Sequence, residues 1–201
     1  MGACVLLSQD EARFSLGPTL RTTLGLKGHR PLVGTWENKD LVYCLAALNV
    51  VTGHLTTRLL EQPARSKAKT GQSKQQRLQA AFAAPLRDLA RAYPASVYAE
   101  VIITIDNAPW HRGTVVEQVL EANAHLRLYR LPSYSPQLNV IERLWRVLRR
   151  RATHNRLFAS MAVLRTTLRN NISYFQTMRQ KVLSLIESPR KAKKEAKLAA
   201  A

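Results

Sequence analysis

Apolar positions change their period along this chain. Up to residue 62 they fall in short runs bounded by polar residues, as strands do. "ACVLLSQDEARFSL", residues 3–16, reads as a strand, a turn or bulge at the acidic pair Asp10 and Glu11, and a second strand. "LGLKGHRPLVGTW" is punctuated by Gly25, Gly28, Pro31 and Gly34 and reads as a loop. "DLVYCLAALNVVTGHLTTRLL" holds two strand-like runs joined at "TGH", a hairpin. Beyond residue 77 the period lengthens. Leu78, Phe82, Leu86, Leu89 and Tyr93 form a helical stripe, which Pro85 should kink or start. Val101 to Ile105 is a buried strand, "RGTVVEQVLEAN" a short helix, and "LRLYRLP" another strand. Ile141, Leu144, Trp145 and Leu148 stripe a further helix, with Ser135 placed to cap it and Pro136 suited to its first position. Met161, Leu164, Leu168, Ile172, Phe175, Met178, Val182 and Leu185 mark one last helix, roughly 160–186.

An antiparallel opening followed by alternating strands and helices predicts an α/β fold, a mixed sheet flanked by helices. One domain is expected over residues 1–186, with a basic, disordered tail over 187–201.

Charge gives this layout a direction. The chain of 201 residues has a formal net charge of +18. Residues 143–201 hold 15 Lys and Arg against 2 acids, and residues 1–142 hold 16 against 11. Such a balance points to a polyanionic partner, most simply nucleic acid. "PARSKAKTGQSKQQR", residues 63–77, adds five basic residues and no acid in an expected exposed loop, either a connector or a phosphate contact. No run of about 18 apolar residues is present and the N-terminus lacks the pattern of a signal peptide, so neither a membrane partner nor export is expected. Cys4 and Cys44 lie in apolar runs and are expected as buried thiols in a reducing cytoplasm.

Only 13 acids occur in the chain, and three stand in costly or oddly aimed places. Asp10 follows "CVLLSQ", Asp106 follows "VIITI", and Glu142 interrupts an arginine-rich helix. An acid at the carboxyl end of a buried strand points into the crevice where α/β proteins bind ligands. Two carboxylates about 4 Å apart repel by roughly 4 kcal/mol at an effective dielectric near 20. A hard divalent cation such as Mg²⁺ or Mn²⁺ relieves that repulsion, and a pair of ions about 3.5–4 Å apart activates a nucleophile and stabilises the leaving oxygen of a phosphodiester. Each acid also has a plainer reading. Asp10 could be a turn residue beside Glu11, Asp106 an Asx-turn acid in "DNAP", and Glu142 a surface partner of Arg146.

"IDNAPWHRG", followed by "LPSYSPQLNVIERLWRVLRRRATHNRLF", closely resembles the catalytic domain of DDE transposases of the mariner-like superfamily, especially its bacterial insertion-sequence branch. "QDEARFSL", "KGHRP" and "LAALNVVTGHL" resemble the family's opening strands, so that the likeness covers roughly residues 4–175. The 35 residues between Asp106 and Glu142 suit its second-to-third acid gap. The resemblance implies a ribonuclease H-like fold and metal-dependent DNA cleavage and strand transfer at transposon ends. It implies Asp10, Asp106 and Glu142 as catalytic metal ligands, with Asp10 preferred over Glu11, and the same two Mg²⁺ or Mn²⁺ ions. Asn107, His111 and Asn139 match the surrounding motif and would support the acids or contact DNA, as would Arg143, Arg146, Arg149 and Arg150. Trp145 is expected in the core.

Relatives carry an N-terminal helix-turn-helix region, whereas here the first strand begins by residue 4. DNA reading would then come from a separate helix-turn-helix chain, or the chain is a fragment or half of a frameshifted element. A homodimer on DNA and a cytoplasmic, nucleoid-associated place in a bacterium follow by analogy. Two alternatives stand beside strand transfer: a non-catalytic DNA-binding remnant, and a ribonuclease H-like nuclease acting on structured nucleic acid.

Overall fold

A computed structural model describes residues 2–29, 31–35, 40–62, 73–133 and 135–187. Most of the basic stretch 63–77 and nearly all of the expected tail lie outside the described residues. Five strands form one sheet: β1 (Ala3–Ser15), β2 (Leu41–Asn49), β3 (Leu55–Gln62), β4 (Tyr98–Ile105) and β5 (Leu126–Arg130). Their order is β3-β2-β1-β4-β5. The first three pair antiparallel, whereas β4 joins β1, and β5 joins β4, in parallel. The mixed sheet expected from the sequence is present.

Helices cover both faces, which is why β1 and β2 are buried on both sides through their middles. On one face α1 (Lys74–Ala92) and α2 (Thr114–Glu121) pack on Val5, Leu7, Val101, Ile103 and Ile105. On the other, α3 (Ile141–Ala152), α4 (Met161–Thr177) and α5 (Arg179–Ile186) pack on Ala12, Phe14, Val42, Cys44, Ala46 and Leu48. Odd-numbered residues of β1 therefore look toward α1 and α2, and even-numbered ones toward α3.

Several local expectations need correction. The strand β1 runs without interruption through Asp10 and Glu11, which pair with Ala46 and Leu45 of β2. Strand alternation sends the two acids to opposite faces, so no turn is needed to accommodate them. Helix α1 neither starts nor is capped at Pro85; it begins after Ser73, whose side chain accepts from Gln76 N while the Gln76 side chain accepts from Ser73 N. Ser135 does not cap α3. A 3₁₀ turn, Pro136–Leu138, intervenes, and α3 starts after Val140 with no side-chain cap. The expected final helix is two helices broken at Met178, where φ is −94° and ψ 57°. The β2–β3 turn explains the break: a Cβ on Gly53 would lie 2.6 Å from the Arg179 carbonyl oxygen, so this turn sits directly against the start of α5. Gly53 itself has φ 69°. Cys44 is buried as expected, but Cys4 is exposed.

Candidate functional site

The parallel register of β1 and β4 ends with Ser8 opposite Thr104. Continued by two residues, it brings Asp106 beside Asp10. Asp10 is on the even face of β1 and thus faces α3, whose first turn carries Glu142. The three acids line a common cavity of about 350 Å³ with Asn107 and Asn139, and they also open onto a neighbouring one of about 550 Å³.

Asp10 is 8% exposed, and Trp145 Nε1 donates to its Oδ2 at 3.1 Å. Burial, and then the Glu142 carboxylate, push the Asp10 carboxyl up to about 7. The Trp145 bond opposes this without outweighing it. Trp145 is core, as expected, and is also the direct support of the first acid. Glu142 makes no ion pair with Arg146 among the described residues, which removes the surface-pair reading.

Asp106 caps its own turn. Its Oδ1 accepts from Ala108 N at 2.9 Å and lies 3.0 Å from His111 Nδ1. The Asx-turn alternative is therefore realised, in the same residue that faces Asp10. The His111 bond, together with the Ala108 amide, outweighs burial and holds Asp106 below the usual carboxylate range. His111 is only 2% exposed. Burial alone would lower its pKa, but Asp106 and Glu11 together raise it to about 9, so it is an imidazolium at neutral pH. Glu11 stands 3.5 Å from His111 Nε2, an ion-pair distance too long to count as a hydrogen bond, and accepts from Trp110 Nε1 at 2.6 Å. Sequence reading missed this Glu11–His111–Trp110 set. The strict alternation of β1, which separates Glu11 from Asp10, was the available signal.

Asn139 is buried and its Oδ1 accepts from Ser8 Oγ at 2.8 Å, while its carbonyl accepts from Glu142 N. It pins the start of α3 to β1. Asn107 donates to the Leu131 carbonyl oxygen at 2.5 Å and so fixes the end of β5. The arginines divide. Arg143 donates to the carbonyl oxygens of Ile186 and Glu187 at 2.8 and 2.7 Å and closes the end of α5. Arg149 lies 5.9 Å over the Phe14 ring. Arg146 and Arg150 are exposed.

No three His, Cys, Asp or Glu side chains among the described residues are close enough to clasp one ion as they stand. Asp106 Oδ2 and both Glu142 oxygens nevertheless make no hydrogen bond among those residues, and an all-carboxylate donor set suits a hard divalent cation. Burial and then the Glu142 carboxylate both disfavour an ionised Asp10, and a cation at the site would offset both. The residues fit the metals that the sequence implies.

Comparisons with known proteins bear on the family and the fold. The family model of the DDE superfamily endonucleases matches residues 5–165. A Shigella sonnei protein described as an insertion element IS630 uncharacterized 39 kDa protein is 27% identical over 153 residues, 76% of this chain and 40% of that protein. The chain thus spans less than half the length of this curated relative. Among solved structures, a Mos1 mariner paired-end complex with Mn superposes with a TM-score of 0.60 at 18% identity, covering 90% of this chain and 53% of that one. The isolated catalytic domain of Mos1 mariner transposase gives 0.52 at 17% identity, covering 91% of this chain and 83% of that one. At these identities the likeness establishes the fold.

Proposed function

This chain belongs to the DDE superfamily endonucleases, and on that premise we propose that it cuts and joins DNA at a site formed by Asp10, Asp106 and Glu142 with two Mg²⁺ or Mn²⁺ ions. The observation that carries this reading is the meeting of three carboxylates, from β1, the end of β4 and α3, on one cavity of a chain with net charge +18. The solved Mos1 relatives include complexes with Mn and with Mg, which supports the choice of metal.

In the first step the oxygen of a water forms a bond to phosphorus, and the bond from that phosphorus to the 3′ oxygen breaks, leaving a free 3′-hydroxyl. In the second the oxygen of that hydroxyl gives up its proton and forms a bond to a target phosphorus, and the bond from that phosphorus to the target's own 3′ oxygen breaks, that oxygen leaving as a 3′-hydroxyl. The ions, when bound, activate the attacking oxygen and stabilise the leaving one. The chain's own residues hold the geometry. Trp145 fixes Asp10, His111 keeps Asp106 ionised and aimed, and Asn139 sets the height of Glu142 above β1. The exposed Arg146 and Arg150 are available for backbone phosphates. Reading of transposon ends by a helix-turn-helix region on another polypeptide, and pairing of two copies on DNA, complete the proposal. Mos1 relatives are described as paired-end complexes, which supports such pairing.

The test is nicking of supercoiled plasmid with Mg²⁺ or Mn²⁺. Glu142→Gln should abolish nicking with an unchanged circular dichroism spectrum; normal cleavage by that variant removes Glu142 from the site. DNA binding without any divalent site in calorimetry would establish the non-catalytic remnant instead. Preference for an RNA–DNA hybrid over duplex DNA would establish the nuclease.

A further inference from the structure

The far end of α3 carries a second built feature, away from the acids. Asn155 Oδ1 accepts from Arg21 N at 2.8 Å, and Asn155 Nδ2 donates to Arg21 O at 2.9 Å. The Asn155 amide also donates to Thr19 O at 3.1 Å, and Thr19 pairs with His154 in an isolated parallel bridge. Asn155 reaches this position with φ 54°, the only positive φ of a non-glycine residue among the described residues. Asn tolerates that region better than most residues, but it is a disfavoured one. Its result is to fasten Arg21, 134 residues away in sequence, beside the last turn of α3.

The clamp sets the Arg21 backbone against the end of α3, where His154 pairs with Thr19 and its amide donates to the Arg149 carbonyl oxygen at 2.9 Å, with Arg150 next in the chain. Burial and then the Arg21, Arg149 and Arg150 guanidinium groups hold His154 below its ordinary value, with no carboxylate of the described residues among the charges acting on it. Its Nε2 is buried with no hydrogen-bond partner among the described residues. None of the three arginines forms an ion pair among the described residues. Complementing the helix dipole explains basic residues in the last turn of α3, Arg149 and Arg150 included. It does not explain a strained asparagine that recruits a further arginine from a distant loop. Crowded cations without counter-charges are stabilised by an anion.

We propose that Arg21, Arg149, Arg150 and His154 form a binding site for a phosphate of the duplex DNA backbone. At about 1.5 Å per residue, Arg149 stands about 11 Å along α3 from Glu142. The proposal rests on the reading of the chain as DNA-acting.

The experiment is fluorescence anisotropy of a labelled random-sequence duplex with the full chain across a KCl series, without divalent ions. Arg21→Gln, a surface change, should reduce the slope of log Kd against log salt by about 1, the loss of one phosphate contact. Asn155→Gly keeps the left-handed backbone and removes both bonds to Arg21, and it should reproduce part of that loss. Unchanged slopes in Arg21→Gln overturn the site, even if Arg149→Gln or Arg150→Gln weakens binding. Absence of duplex binding by the wild-type chain overturns the DNA reading itself, whereas nicking by Glu142→Gln leaves this site standing and removes only the acid assignment.

Discussion

Asp10 concentrates the physics of the site. A carboxyl pushed up to about 7 by burial and by Glu142 binds its proton more tightly in the folded chain than in the unfolded one, where the ordinary value is 3.8. Its contribution to stability is therefore fully present below pH 3.8 and is lost as pH rises through about 7. Without metal, the wild-type chain should lose thermal stability across that window. Asp10→Asn, which still accepts from Trp145, should not. Melting curves in EDTA from pH 4 to pH 8 should show the variant melting higher than wild type at the alkaline end, with nicking lost. His111 loses its contribution in a later, partly overlapping window, between 6.5 and about 9, so its loss is read by extending the series past pH 9. The cysteines offer a simpler test. Burial pushes the Cys44 thiol up to about 12, while Cys4 is exposed. A thiol reagent should modify one cysteine quickly in the native chain and the second only on unfolding; rapid reaction of both would contradict the burial of Cys44.

Elements were legible in the sequence where local pattern decides them, and obscure where contacts distant in sequence do. The hairpin at "TGH", the buried strand before Asp106 and the stripe of α3 all follow from periodicity, and all are present. The break at Met178 left no such trace, because Leu164, Leu168, Ile172, Phe175 and Val182 are all buried on one side despite it. What makes the break is the β2–β3 turn arriving at Arg179. Gly53→Ala should therefore destabilise the chain, adding a strained left-handed residue to a close backbone approach, by about 2 kcal/mol or more in urea unfolding. Arg143 gives the same lesson in the site. Its place among exposed arginines suggested DNA, but its two bonds to the end of α5 depend on a helix that begins at Arg179. Arg143→Gln should cost about 1.5–3 kcal/mol of stability, with little change in the salt dependence of DNA binding. A changed slope with unchanged stability would return Arg143 to the DNA-facing set. The acids were legible as a set because their surroundings in sequence are distinctive; what the alternation of β1 adds is that Asp10 faces α3 while Glu11 faces α1 and α2.

At the scale of the whole molecule, the site ties together parts that are far apart in the chain. Asp10 comes from the central strand, Asp106 from the strand paired beside it in parallel, and Glu142 from a helix laid across one face. Carboxylates held together here oppose folding through mutual repulsion, while the surrounding packing of Trp145, Ile141 and Leu148 favours it. A cation held between them, as proposed, would reverse the sign of the acidic contribution and link β1, β4 and α3 through one centre. Binding to the folded chain alone should raise stability by about 2.7 kcal/mol when the metal is at 100 times its Kd. The expected outcome is a melting temperature that rises with Mg²⁺ or Mn²⁺ and falls back with EDTA. Asp10→Asn and Glu142→Gln should each remove most of the rise while starting from a metal-free melting temperature at or above that of wild type. A general ionic effect on a chain of charge +18 would act differently. It would stabilise wild type and both variants alike, and an equal ionic strength of KCl would reproduce it.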